Sequence, residues 1–398
     1  MRRSLVRSSA AAALCAGAGA VSAQTDASRA YVAELRADAV SRTSALAAEP
    51  EAFSVKVTGQ IQFRYIYTDA GELGGDEDTA VGFQNRRTKL GFSGNVIDKT
   101  WEYQVLAAFN RATGEPILEN ALVKKSMESG WYIQFGQFKL PFLREENLSS
   151  TRQLTADRSA TNNFFTQAYS QGIEVGTGGA GDDRFRFAGA FSDGLRSANT
   201  DIGMNPADYA LSGRAEYLVA GDWKQFRQFT SFRNADFGAL LGGAVHWQTG
   251  GETLGTPDVD VLSATADLSV VGDGWNAYAA GIWAGADPGN GAETDDFGLV
   301  VQGGFFVTDR TELFARYDAI LADDDRDLDD FHTLTAGVNH YIVPESHAAK
   351  LTVDVQYLFD APAESLTPSA SSLRGIGVLA GDQDDGQLAV RAQFQLLF

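Results

Sequence analysis

A single cysteine, Cys15, stands in 398 residues, so no disulfide framework holds this chain together. Proline is scarce, at nine residues, and few elements are broken from within. Positive charge is short: 32 Lys and Arg face 52 Asp and Glu, for a formal net charge of −20. A nucleic-acid binder needs a basic face, so that class is excluded. Outside the N-terminus no run of about 18 apolar residues occurs, which excludes membrane-spanning helices. It does not exclude membrane-spanning strands. Histidine is nearly missing as well. Only His246, His332, His340 and His347 could act as imidazole bases, and neither G-x-S-x-G nor H-E-x-x-H occurs. The chain is read as no enzyme, and no cofactor is expected. What is abundant is 42 Gly, 25 Phe and 12 Tyr, a composition of aromatic strands and open turns.

The first segment predicts an export signal. Arg2, Arg3 and Arg7 give a basic start, Ala10 to Ala20 an apolar stretch, and Val21-Ser22-Ala23 a small-residue cleavage site. Cys15 is not read as a lipid-anchored cysteine, because bulky Leu14 precedes it. Cleavage after Ala23 leaves 398 − 23 = 375 residues with a charge of 29 − 52 = −23. Residues 24–50 then predict a short periplasmic helix. Asp26 or Ser28 caps it, Val32, Leu35, Ala39 and Leu46 form a narrow stripe, and Pro50 closes it. A trimeric coiled coil and a disordered arm both fit this stretch.

From residue 51 to 398 the period becomes two. In Phe53 to Tyr65 odd positions are apolar or Gly and even ones polar. The pattern recurs in Trp101 to Phe109, Tyr209 to Tyr217 and Leu351 to Phe359. It predicts strands near 53–68, 82–97, 100–110, 117–127, 130–138, 170–177, 183–192 and 208–219. Eight more fall near 236–248, 259–271, 274–285, 296–307, 310–321, 330–342, 347–359 and 386–398. Sixteen long strands with connections alternately short and long predict an all-β fold, a transmembrane antiparallel β-barrel of the outer membrane. A secreted β-sandwich would not explain so many long strands with an apolar face nearly free of charge. The stretch 223–235 fits neither connection class. Rings near the strand ends predict interfacial girdles: Phe53, Tyr65, Tyr67, Trp101, Phe109, Trp131, Tyr209, Tyr217, Trp247, Tyr341 and Phe359. Leu388, Val390, Ala392, Phe394, Leu396 and Phe398 are in phase, and a last strand ending in Phe resembles the signal read by the barrel-assembly machinery.

Three stretches carry a closer likeness: Gly130 to Phe142, reading GWYIQFGQFKLPF; Ser149 to Ser159; and Arg86-Arg87-Thr88-Lys89-Leu90-Gly91-Phe92-Ser93-Gly94. Together they resemble the phosphate- and polyphosphate-selective porin family of bacterial outer membranes. The resemblance spans roughly 53–398 and implies a water-filled channel for small hydrophilic solutes, with a preference for anions such as phosphate. It also implies a homotrimer. Gly213 and Ala215 are small enough for a neighbouring barrel to approach, although only Ala215 lies in the apolar phase. Three departures bear on selectivity: the chain is strongly acidic overall where family members often have a basic pore lining, Leu140 stands where the family often has a polar or acidic residue, and Asp157 where Glu is common.

Taking the polar phase as inward, the expected basic lining is Lys56, Arg64, Arg87, Lys89, Arg184, Arg186, Arg214, Arg316, Lys350 and Arg391. The acidic lining is Glu102, Glu174, Glu216, Asp267, Glu312, Asp318 and Asp354. Ten against seven favours anions in a narrow bore. Each of these cations could equally form an ion pair that stiffens the wall. The segment Lys139 to Tyr169 predicts a loop folding inward, with Lys139, Arg144, Arg152 and Arg158 as constriction residues. Pairing within the loop is the alternative for them.

The acid lies in the outer loops, where Asp323, Asp324 and Asp325 are a weak metal candidate and could bridge lipopolysaccharide. Solvated loops explain the same residues. Membrane lipid and small anionic solutes are the other partners expected. A sugar-selective or general diffusion porin is the second reading, since no aromatic track marks the inward phase. An enzyme or adhesin barrel is the reading from another class. His332 and His340 share the phase of Leu334, Ala336 and Val338, and are expected at the interface rather than on a metal.

Overall fold

The computed structural model describes residues 53–69, 79–178, 183–326, 330–360, 374–379 and 386–398. The expected signal (1–23) and helix (24–50) lie outside the described residues. Two compact units separate: Met1–Ser54 with Asn95–Lys99, and Val55–Gly94 with Thr100–Phe398. In the first, the Asn95 backbone N–H donates to the Ser54 hydroxyl at 3.1 Å. The second is a barrel.

Its strands are β1 (Lys56–Asp69), β2 (Thr79–Val96), β3 (Asp98–Phe109), β4 (Pro116–Ser126), β5 (Trp131–Lys139) and β6 (Tyr169–Thr177). Next come β7 (Phe185–Ser192), β8 (Tyr209–Ala220), β9 (Gly238–Thr249), β10 (Asp260–Gly272) and β11 (Trp275–Asp287). The last are β12 (Thr294–Phe306), β13 (Thr311–Leu321), β14 (Phe331–Tyr341), β15 (Ala349–Leu358) and β16 (Leu388–Leu397). Each pairs with its sequence neighbour, and β1 meets β16 to close the sheet. All sixteen strands expected from period two are present. Closure leaves no unpaired edge, the condition for crossing a bilayer with strands.

The alternation sorts side chains as expected. In β1 Gln60, Gln62, Arg64 and Thr68 point in and are buried, while Phe63, Tyr65 and Tyr67 point out and are exposed. On the outer face Phe63 stacks with Phe83 of β2 at 5.5 Å, and Tyr317 shares a 2.7 Å hydrogen bond with His332. One girdle residue is corrected. Tyr341 is 0 % exposed and donates to Glu312 at 2.7 Å, because it shares the inward phase of Asn339.

Both ends of the barrel chain lie at one rim, here the terminal rim; the other is the distal rim. Residues 221–237, which include the stretch 223–235 that period-two reading could not place, join β8 to β9 at the terminal rim and turn into the lumen. A 3-10 turn at Gln225–Arg227 puts Phe226 inside, and Phe229, Thr230 and Ser231 follow. From the distal side the β5–β6 connection enters the same lumen. It carries a short helix Arg144–Asn147, a 3-10 turn Ser150–Arg152 and a helix Ala160–Phe165. Ser149 and Ser159 cap the latter two through their side chains.

The two intrusions give the barrel an apolar filling. Phe142, Leu143 and Phe165 pack on Ile282, Ile320, Phe331 and Leu358. Leu154 joins Phe229, Tyr278, Val300 and Phe314. Burying each large side chain contributes about 1.5–3 kcal/mol, enough to pin a loop that would otherwise wave in water. Gly298 of β12 makes room for this. A Cβ there would sit 2.5 Å from Phe165 Cε2 and 2.8 Å from Thr161 Cγ2.

Candidate functional site

The inward polar phase has a task that its sequence does not announce: it binds the backbone of the inward loop. Gln62 Nε2 donates to Ser150 O at 3.2 Å, Lys350 Nζ to Gln153 O at 2.9 Å, and Asn339 Nδ2 to Leu154 O at 2.9 Å. Asp354 accepts the Ala156 N–H at 2.9 Å, and Gln395 donates to Thr151 O at 3.1 Å. Asp318 caps the helix Ala160–Phe165 from the wall, accepting the N–H of Ala160 and Thr161 at 2.9 and 3.3 Å. Buried backbone groups must be paired, and the strands pair them here.

The expected lining therefore divides. Arg64, Arg316, Lys350 and Arg391 point inward but are covered by the loop and face no open bore. Arg391 forks onto Asp354 at 2.7 and 3.0 Å, and Arg316 binds Asp318 at 3.2 Å. Arg214 joins Asp267 and Glu216 at 2.8 and 3.0 Å. Glu312 accepts from Tyr341, Asn276 and Asn339. Arg184 is exposed at the terminal rim and donates to Leu218 and Val219 carbonyls, and Lys56 and Glu102 are exposed at that rim too. Arg87, Lys89 and Arg186 remain on the open side of the lumen. The excess of ten against seven is consequently not free charge.

The four loop cations are held as well. Lys139 pairs with Glu146 at 2.8 Å. Arg144 donates to Phe226 O at 2.6 Å and lies 3.6 Å from Glu216. Arg152 donates to Arg227 O at 3.2 Å, tying the two intrusions together. Arg158 donates to the carbonyls of Glu145, Glu146 and Leu148 at 3.0, 3.1 and 2.8 Å. Burial alone would raise the Glu146 carboxyl, but Arg158 and Lys139 hold it at about 2.

Asp157 is the strongest electrostatic feature. Arg64, Arg86 and Arg87 all meet its fully buried carboxylate, Arg86 at 3.0 Å and Arg87 at 2.7 Å. Burial pushes this carboxyl up, yet the arginines, Arg86 foremost, keep it well below the ordinary range. Consecutive residues of a strand normally face opposite ways. Here the pairing of β1 and β2 slips between Gln62 and Phe63, leaving Arg86 as the extra residue of a bulge, so both Arg86 and Arg87 reach the lumen. Strict alternation hid Arg86, and the sequence offered only the doubled arginine as a signal.

Burial shows where space remains. Inward residues of β12–β16 are almost all covered, whereas Arg87, Lys89, Gln104, Lys124 and Gln134 on β2–β5 are partly exposed. Three cavities border that side. One of about 210 Å³ lies toward the distal rim among Arg86, Arg87, Lys89, Arg111 and Glu119. Another, of about 500 Å³, opens at the terminal rim beside Lys56, Gln104 and Arg152 and shares Lys89 with the first. A third, of about 440 Å³, lies under the inward loop against β4–β8 and residues 223–227.

The described part of the acidic loop after β13 does not gather into a metal site. Asp323 accepts the backbone N–H of Asp295 and Asp325, and Asp296 pairs with Arg326 at 2.7 Å. Among the described residues no three His, Cys, Asp or Glu side chains converge, which corrects the candidacy of Asp323, Asp324 and Asp325.

No curated protein matches the chain. Solved structures do. It is similar to an anion-selective porin from Comamonas acidovorans at 14 % identity and TM-score 0.59, covering 87 % of this chain and 100 % of that one. OmpT of Vibrio cholerae, expressed in the outer membrane, gives 14 %, 0.56, 87 % and 98 % in the same order. The outer membrane channel DcaP of Acinetobacter baumannii gives 13 %, 0.54, 87 % and 98 %. At such identities the likeness is one of fold. The family model of phosphate-selective porin O and P matches residues 55–367; the chain belongs to that family and is an outer-membrane diffusion channel.

Proposed function

We propose that this channel passes small anions, phosphate among them, along the β2–β5 side of its lumen, with the terminal rim in the periplasm. The observation that carries this is the Asp157 cluster: three guanidiniums converge on one carboxylate, beside Lys89, at the edge of the distal cavity. Fixed positive charge in a narrow aqueous passage attracts anions and repels cations. Guanidinium forks also match a tetrahedral oxyanion. Acidic residues such as Asp323 and Asp325 lie in loops at the distal rim, and over roughly 8 Å, about one Debye length, salt mutes them.

The reversal potential of the purified channel in a planar bilayer under a salt gradient tests this. Anion preference is expected, and it should fall when Arg86 and Arg87 are both changed to Gln. Cation preference at high salt in the unaltered channel would leave a general diffusion porin. The chain is further proposed to work as a homotrimer, as its family resemblance implies; the similar OmpT of Vibrio cholerae, folded in vitro, has a trimer form. Native mass spectrometry in mild detergent should give three copies, and monomers alone would end that reading.

A further inference from the structure

We infer that the 440 Å³ cavity beneath the inward loop is a subsite for an aromatic carboxylate, a larger and flatter anion than phosphate. The inference rests on the anion-channel reading and deepens it. Among the cations that border this cavity, three are laid on rings that line it as well. Arg186 lies 4.0 Å over Trp223, Lys124 is 4.2 Å from the Tyr132 centroid, and Arg144 is 5.8 Å from that of Phe226. The first pair ties β7 to the 221–237 segment, the second ties β4 to β5, and the third ties the inward loop to that segment, so the cavity lies where both intrusions meet the wall.

Part of this donor set is unspent. Arg186 makes no hydrogen bond or ion pair among the described residues, and its Nε is buried without a partner. Arg144 is 5 % exposed and spends one N–H on Phe226 O, but its Nε lacks a partner. Arg186 thus contrasts with Arg64, Arg316 and Arg391, whose carboxylates sit beside them. The acids at the cavity are already engaged: Tyr132 donates to Glu174 at 2.7 Å, and Glu216 holds Arg214 at 3.0 Å.

A guanidinium stacked on a ring keeps its in-plane N–H groups for a coplanar carboxylate. The surrounding rings then offer face and edge contact to an aromatic body, which inorganic phosphate cannot use. Volume agrees, since organic ligands occupy cavities of about 300–1,000 Å³.

The test uses the full channel in planar bilayers, with benzoate, cyclohexanecarboxylate, acetate and inorganic phosphate added in turn to a chloride current. Benzoate should interrupt the current at concentrations about tenfold lower than acetate or cyclohexanecarboxylate. Arg186→Gln and Trp223→Leu should each raise the half-blocking concentration of benzoate about tenfold, and Arg186→Lys should fall between. Heat-modifiable migration establishes that each variant has folded, and the comparison of acids on the unaltered channel needs no variant. Equal block by benzoate and acetate, or by benzoate and cyclohexanecarboxylate, overturns the inference. So does benzoate block that ignores both substitutions. Reversal potentials on the same membranes separate the two failures: cation selectivity ends the anion reading, whereas anion selectivity without benzoate preference ends only this subsite.

Discussion

The ring of Phe398, the last residue, lies where a side chain on Gly59 would be. The two backbones exchange hydrogen bonds, Gly59 N–H to Phe398 O at 2.6 Å and Phe398 N–H to Gly59 O at 3.1 Å. A Cβ on Gly59 would overlap the ring. The seam between β1 and β16 therefore ends in a fitted pair. Gly59→Val should destabilise the closed barrel by about 1–3 kcal/mol, as overpacking does. Refolding into detergent, read by heat-modifiable migration, measures it without the assembly machinery. Adding Phe398→Ala should recover part of the loss, since it removes the clash. An unchanged melting temperature for Gly59→Val would refute the fit.

Asp157→Asn removes the single carboxylate shared by Arg64, Arg86 and Arg87. Breaking a buried pair from one side costs about 3 kcal/mol or more. Stability should fall by that order in denaturant titration, while the reversal potential moves further toward anions. If selectivity stayed put, the cluster would be structural only.

Gly298→Leu should expel the helix Ala160–Phe165, because Phe165 and Thr161 occupy the space a side chain needs. The expected readout is a larger single-channel conductance with the strands intact by circular dichroism. A conductance equal to that of the parent would mean that this loop does not narrow the bore.

Acid should release the loop in a defined window. The Glu146 carboxyl titrates at about 2 when folded against about 4.3 when unfolded, so its stabilising effect is present above pH 4.3 and lost as pH falls toward 2. Asp157, also depressed, acts in the same sense. His347 begins earlier. Burial, with Lys350 and Arg152 nearby, lowers it well below 6.5, so the ring has no effect above that pH, and below it the unfolded chain binds a proton that the folded ring does not, which lowers stability. Thermal stability should thus decline gently below pH 6.5 and steeply below about pH 4. His347→Gln should flatten only the first part; a decline that starts below pH 4 in the parent would contradict the role of His347.

The barrel was legible because alternation is a property of each strand by itself. Phe53 to Tyr65 declares its two faces without reference to any neighbour, and sixteen such segments suffice to place every strand. The lumen was less legible, for a physical reason. Polarity at Arg316 or Lys350 says that a side chain points inward, but not whether water or another segment receives it. Thr155 and the Gln153 carbonyl receive them, contributed by a loop far away in sequence. The stretch 223–235 failed for a related cause: Phe226 and Phe229 are core residues without a period, since an irregular segment has none. Arg86 was missed because one inserted residue breaks the parity on which the inward set was read.

The one-sided filling has a mechanical consequence. Strands β12–β16 are braced from within by side chains and backbone of the loop, whereas β2–β5 have water behind much of their inner face. Such a wall is stiff on one flank and compliant on the other. Amide hydrogens of β2–β5 should exchange sooner than those of β13–β15. Breathing of the passage is then a bending of the flank that solutes touch, with the braced flank as its fixed jaw.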